Sequence, residues 1–320
     1  MRVGVFTVLF QDLPFEQALD KIRAAGISAV EIGTGGYPGG HHCPVDELLG
    51  NQAKRDAYLA AVVMRGLIIS AFSCQYEPLS PDVKLAKESD ETFRKTVKLA
   101  ALLKVPVVNV LSGLPAGCPG DKSPSWVACP WPPHNLAMLD YQWDRVAIPY
   151  WKEAGKFAQD NGVKIAVEMH PGFLVYNVET LLKLRAAVGP VLGCNLDPSH
   201  LFWNGVDLPA AIRKLGNSIF HVHGKDCAVD RINVSVNGCN DSKPYDRISE
   251  RAWIFRSIGY GHDAKTWKDI MSALRIVGYD YVVSIEHEDA MMSRDEGLAK
   301  GVALLKEALM SEKPGEMYWA

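Results

Sequence analysis

Val163-Lys164-Ile165-Ala166-Val167-Glu168-Met169-His170-Pro171 is the stretch whose reading decides the fold. With a period of two it has two faces. Ile165, Val167 and Met169 form an apolar face; Ala166, Glu168 and His170 lie on the other. A helical stretch ending at Asn161-Gly162 precedes it, and Pro171-Gly172 cuts it short. A strand that is apolar on one side and ends in a carboxylate and an imidazole suits a β/α barrel. There the outer strand face packs on helices, and the polar groups at the C-terminal strand ends converge on one site.

The rest of the chain repeats the unit. Strands are predicted over 2–7, 29–33, 67–72, 105–111, 191–197, 218–226 and 281–286. Helices are predicted over 15–26, 46–65, 82–103, 140–161, 179–188, 208–215, 263–277 and 295–310. In these strands Val30, Ile32, Val108, Val110, Leu196, Phe220, Val222, Val283 and Ile285 take the outward phase, and Glu31, Asn109, His221 and His223 the inward one. Strands alternating with helices signal a parallel sheet closed on itself, an α/β fold of the (β/α)8 TIM barrel type. The barrel is expected over 1–310, with a tail at 311–320. Two stretches break the rhythm. Residues 112–139 carry Pro, Gly and Trp without periodicity and read as a lid-like insertion; 225–261 read as a second loop insertion.

Composition narrows the class. The chain has 320 residues, 48% hydrophobic, with a formal net charge of −3, enough for one large core. With pI near 6.3 it lacks the basic surface that nucleic-acid binding requires. Its seven cysteines contain no CxxC pair, and the first strand starts at Arg2, so reduced thiols in a cytoplasmic protein are expected. No apolar run approaches the ~18 residues of a membrane span.

Four strands end in ionisable residues of the same phase: Glu168, Asp197, His223 and Glu286. One polar residue at a strand end ordinarily finds a local partner. Three carboxylates and an imidazole at one rim repel and desolvate one another unless a cation sits among them. Such an oxygen-rich set suits one divalent metal ion, Mn²⁺ first, with Mg²⁺, Co²⁺ or Zn²⁺ as alternatives. His170, His200 and His221 are candidate substrate-binding residues, with His200 also a possible fifth ligand and His221 equally an interior residue without chemistry. Lys225 and His42 are additional acid–base candidates. Trp126, Trp131 and Trp203 could wall a sugar ring, and Arg256, among the basic residues of the second insertion, could bind substrate.

At Val167-Glu168-Met169-His170-Pro171-Gly172, Asn195-Leu196-Asp197-Pro198-Ser199-His200, His221-Val222-His223-Gly224-Lys225-Asp226 and Ser284-Ile285-Glu286-His287-Glu288-Asp289 the chain resembles the xylose-isomerase-like, sugar phosphate isomerase/epimerase superfamily. The resemblance implies a divalent ion held by Glu168, Asp197, His223 and Glu286, with the two glutamates also moving the proton. It implies a keto-sugar isomerase or epimerase working through an enediolate. Related barrels include inosose dehydratase-like enzymes and subunits cleaving 3-oxo-glycosides, including C-glycosides, so a lyase is the alternative, and a sugar-binding or partner subunit is a third reading. The expected partner is a small carbohydrate, with no nucleic acid and no membrane, and with a homo-oligomer or a second subunit left open. The acidic balance argues against the endonuclease-IV-type branch of the superfamily.

Overall fold

The computed structural model describes residues 1–313 and 315–320. Its strands are β1 (Arg2–Phe6), β2 (Ala29–Gly33), β3 (Ile68–Ser73), β4 (Val107–Leu111), β5 (Lys164–Glu168), β6 (Leu192–Leu196), β7 (Ile219–Gly224), β8 (Asp226–Val229), β9 (Trp253–Arg256) and β10 (Val282–Ile285). Strands β1 to β7 and β10 form a closed parallel barrel, with β10 between β7 and β1. Val3 lies opposite Val283 where the ring closes, and Val167 lies opposite Cys194.

The outward valines and isoleucines make the main core. Val30, Ile32, Val108, Val110, Ile165, Val167, Val222, Val283 and Ile285 join one buried cluster with Leu19 and Ile22, Phe93 and Val97, and Trp151 and Ala154 of the surrounding helices. Each such aliphatic side chain contributes roughly 1.5–3 kcal/mol when fully buried. Helix starts are fixed by side-chain caps. Asp82, Asp207 and Asp263 accept hydrogen bonds from Lys84, Ala210 and Thr266 backbone N–H groups at 2.8–2.9 Å, each cap worth about 1 kcal/mol.

Three details depart from the expected pattern. Phe220 does not pack outward. The pairing of β6 with β7 skips a residue between Cys194 and Asn195, a bulge that changes side-chain phase, and Phe220 packs with Ala71, Val107 and Ala166. Gly193 permits this, because a Cβ there would lie 2.5 Å from the Phe220 ring. The helix expected over 46–65 is broken at Asn51, whose extended backbone (φ −140°) and side chain cap the second piece, Gln52–Val63. The helix expected over 140–161 begins earlier, at His134, and passes through a wide π turn, Tyr141–Ala147, before Ile148–Asp160. Pro149 lacks the N–H that a regular ladder would use, and the wide turn accommodates its ring.

The insertions are built, not loose. In the first, the buried Gln142 amide donates to the carbonyls of Pro115, Ala116 and Ser125. In the second, β8 and β9 pair antiparallel, and Trp203, Cys227, Ala252 and Trp253 form a separate small core. The seven cysteines are free thiols. Among the described residues, no helix is long and apolar enough to cross a membrane.

Candidate active site

Glu168 is the last residue of β5, Asp197 and Glu286 follow directly on β6 and β10, and His223 lies near the end of β7. One ligand atom from each of the four falls within 4.8 Å of the others. His223 Nδ1 lies 2.9 Å from Glu286 Oε2 and 3.4 Å from Glu168 Oε2. Local sequence explains part of the aim. Asp197 caps the short helix Pro198–Phe202 by accepting the Ser199 N–H on Oδ1 at 2.8 Å, which leaves Oδ2 for the site. Asp197 Oδ2 and Glu286 Oε2 are buried without a well-formed hydrogen bond. Buried carboxylate oxygens are rarely left so. Three carboxylates around one imidazole, with two orphaned oxygens, fit a hard or borderline divalent ion.

Beneath this quartet the barrel interior is polar. His223 Nε2–H donates to Glu31 Oε2 at 3.0 Å, so its Nδ1 is the nitrogen left facing the carboxylates. Glu31 is completely buried and also accepts from Asn109 Nδ2 at 2.8 Å and from the Ser73 hydroxyl. Burial opposes the Glu31 charge, but His223 and His221 outweigh it and hold the carboxyl well below its usual range. His221 lies one layer deeper than His223, completely buried among Ser70, Asn109 and Asn195. Burial lowers its pKa to about 4.

The two glutamates are driven apart. Burial, with the Glu286 and Asp197 charges, pushes Glu168 up to about 8 although His223 pulls the other way. Glu286 is also buried, but Lys225 and His223 hold its carboxyl below the usual value. Glu168 is gripped on Oε2 by two amides, Gln75 Nε2 at 2.7 Å and Asn195 Nδ2 at 3.0 Å.

Above them opens a cavity of about 600 Å³. Glu168, Glu286, His170, His200 and Lys225 all reach it. His200 Nε2 lies 3.2 Å from Glu168 Oε1 and 3.3 Å from Asp197 Oδ2. Its ring lies against that of His170, with centroids 4.0 Å apart and planes tilted by 48°. Burial pulls His170 down to about 4 and His200 below its ordinary value, so both are neutral near pH 7. Lys225 Nζ lies 2.8 Å from Glu288 and 3.4 Å from Glu286. Burial works against its charge, but Glu286, Glu288, Asp197 and Glu168 outweigh that and keep the ammonium protonated.

Four expected residues line no part of this cavity: His221 is sealed in the barrel interior, and three others lie elsewhere. His42 hydrogen-bonds to the Leu13 carbonyl at 2.9 Å and packs near Phe15, away from the cavity wall; Tyr37, from the same glycine-rich loop, lines the cavity instead. Trp131 is 73% exposed and lines no part of this cavity. Arg256 is held 3.1 Å from Asp289 and lies over Tyr260, where it fastens a loop. The anticipated lid also shifts: the wall is built from Tyr245, Ile254 and Phe255 of the second insertion, and from no residue of 112–139.

Gln75 and Phe255 are not singled out by the sequence, and Glu288 enters only as a weaker candidate within the Ser284–Asp289 motif. Gln75 continues the inward phase of Ser73 two residues past β3, a signal that a longer strand reading would have caught. Glu288 lies beyond the end of β10, where strand phase no longer applies. Phe255 faces Lys225 at 4.4 Å only because the second insertion folds back.

Comparison with known proteins agrees with this architecture. The chain is 42% identical over 312 residues to the Bacillus subtilis (strain 168) protein YfiH, covering 97% of this chain and 99% of that one. It is 24% identical over 302 residues to an inosose dehydratase of Geobacillus thermodenitrificans, covering 92% and 90%. Among solved structures, the probable 3-DHS dehydratase AsbF of Bacillus anthracis superposes with a TM-score of 0.67 at 16% identity, over 96% of this chain and 99% of that one. The IOLI protein with a binding zinc atom gives 0.65 at 18%, over 97% and 98%. Residues 19–308 match the profile of the xylose isomerase-like TIM barrel family, and the chain belongs to that family.

Proposed function

We propose that this protein is a divalent-metal-dependent keto-sugar isomerase or epimerase that moves a proton on the carbon next to a carbonyl. The observation that carries this is the pair Glu168 and Glu286. They reach one cavity from the ends of β5 and β10, both within 3.4 Å of His223 Nδ1. Two carboxyl groups on one cavity suit an acid and a base working on one carbon.

Glu168, Asp197, His223 and Glu286 would hold the ion, Mn²⁺ in the first instance. Such an ion stabilises negative charge developing on a carbonyl oxygen and the hydroxyl beside it. Ionised Glu286 accepts the carbon-bound proton. Glu168, oriented by Gln75 and Asn195, would carry the second proton transfer from the other side. Lys225, fixed as a cation, donates hydrogen bonds to substrate oxygen. The neutral imidazoles of His170 and His200 bind hydroxyls. Ile254 and Phe255 keep water from the enediolate. Return of the proton to the same carbon from the opposite face is epimerisation; its return to the neighbouring carbon is isomerisation.

A second reading has its own support. Lys225 is a third proton donor on the same cavity, suited to a departing oxygen, and the inosose dehydratase relative carries out loss of water by its name. The same base would then drive β-elimination. Proton NMR in deuterium oxide with Mn²⁺, on free ketoses, inososes and 3-oxo-glycosides, tests both. Deuterium beside an intact carbonyl supports isomerase or epimerase; a new enone or a released aglycone supports the lyase. No exchange with metal bound would favour a sugar-binding or partner-subunit role.

A further inference from the structure

We infer that the active-site cavity has a second compartment that takes a further unphosphorylated sugar ring, so that the substrate is a two-ring keto-glycoside. This rests on the central cavity being a keto-sugar site.

A cavity of about 370 Å³ adjoins the central one, and His170, His200 and Tyr245 line both. The central cavity alone, at about 600 Å³, already lies within the ~300–1,000 Å³ of ordinary small-ligand sites. The adjoining space is therefore surplus to a single sugar ring. Its walls come from both insertions, Trp126 from the first and Trp253 and Tyr245 from the second, and from the segments that follow β5 and β6. Trp203 and Trp253 stack in parallel, 4.7 Å apart and 6° from coplanar. The pair is braced. Trp253 Nε1 donates to the Cys239 carbonyl at 3.1 Å, and the Arg251 guanidinium lies 4.8 Å from its ring. A platform built before the ligand arrives costs little to order on binding.

The chemistry of the lining selects the occupant. The exposed rings of Trp126 and Tyr245 stand beside the amide of Asn240 and the hydroxyl of Ser242, with the buried Trp203–Trp253 pair backing the wall. Aromatic faces accept the C–H side of a pyranose while amide and hydroxyl groups meet its rim. Among the described residues no lysine or arginine lines this space. Asp241 is occupied by the Ala252 N–H at 2.6 Å and by Lys243. Nothing there would hold a phosphate. The compartment opens at the His170–His200 pair, and His200 is 3.2 Å from Glu168, so the glycosidic bond would pass the two imidazoles.

The test compares a keto-hexose methyl glycoside with the matching keto-disaccharide, in which a glucosyl group replaces the methyl. Ser242→Trp fills the compartment; Trp126→Ala removes a wall at a partly exposed position. Both variants should lower kcat/KM for deuterium exchange into the disaccharide at least tenfold and leave the methyl glycoside within twofold. Equal losses on both substrates, or a wild-type preference for the methyl glycoside, would overturn the inference. Calorimetric binding of unoxidised cellobiose, methyl glucoside and phenyl glucoside needs no turnover. Cellobiose binding lost in Ser242→Trp, without exchange on any substrate, would keep the compartment and discard the reaction reading. Exchange without a disaccharide preference would do the reverse. Tighter binding of the phenyl glucoside than of cellobiose would overturn the sugar assignment, as would no binding of any of the three together with no exchange.

Discussion

Glu168 is a carboxyl group held by two amides, and its replacement by Gln keeps an oxygen for both to meet. Glu168→Gln should therefore leave the melting temperature of the metal-free protein unchanged, since an uncharged amide replaces a carboxyl whose charge burial already opposes. Solvent exchange of the substrate α-proton should fall by ~10²–10⁴, the usual worth of a positioned acid or base. Undiminished exchange in this variant would remove Glu168 from the proton path. Glu31 touches no substrate, yet it fixes which nitrogen of His223 carries the proton. Glu31→Ala should weaken Mn²⁺ binding by about 10–100-fold, and Glu31→Gln, which can still accept the Nε2 proton, by less. Titration of the metal-free protein, followed by calorimetry, measures this directly; equal affinities in all three proteins would end the argument.

The second insertion is anchored at both ends of its path. Asp226 is completely buried and accepts the N–H groups of Cys227, Gly259, Gly261, His262 and the Trp267 indole. Gly261 is needed for this approach, since a Cβ there would lie 2.1 Å from the Cys227 carbonyl oxygen. The Gly259-Tyr260-Gly261 run is thus a closure onto Asp226. With the His262 imidazole, whose Nδ1 lies 2.8 Å from Oδ1, Asp226→Ala strands six donors and should cost about 3 kcal/mol or more, several degrees in thermal melting; a loss under a degree would show the anchor to be redundant. Asp241 secures the other end. Burial opposes its charge, but the Lys243 and Ala252 N–H groups hold it down to about 2, below the ordinary 3.8. A carboxyl so lowered stabilises the fold above the ordinary value, and its contribution fades as pH falls from about 3.8 through about 2. Hydrogen exchange at the Ala252 amide should rise over that window and be high already at pH 5 in Asp241→Asn.

Elements were legible where one local period governed them. The strand phase of Val167-Glu168 or Val222-His223 is written in adjacent residues, and it located the quartet before any coordinate. Phe220 shows where that logic stops. A bulge shifts phase, and whether the chain bulges depends on Gly193 in a strand that is neighbouring in space. The second insertion fails for the same reason. Its basic residues read as a solvated or ligand-binding run, whereas Arg251 is buried and Arg256 is paired with Asp289. Glu288 lies beyond β10 in a loop whose course is set by what it meets, so no repeat announced it, whereas Gln75 needed only the β3 phase carried two residues further.

At the scale of the molecule, the quartet links metal to stability. An ion held by these residues would bind the folded chain only, because the ligands come from four strands spread over residues 168–286. Free Mn²⁺ at about 100 times its dissociation constant should then add about 2.7 kcal/mol to unfolding. Chelation should reverse that gain, and unchanged melting after exhaustive chelation would refute it.

The order of those strands sets a timetable as well. Glu286 arrives on β10, the strand that seals the ring against β1 at the other end of the chain. During synthesis, a nascent chain lacking its last βα unit has three of the four ligands and an open sheet edge. Acquisition of an ion by the full quartet would therefore wait until β10 has been made, and a bound ion would certify that the first and last barrel strands have met.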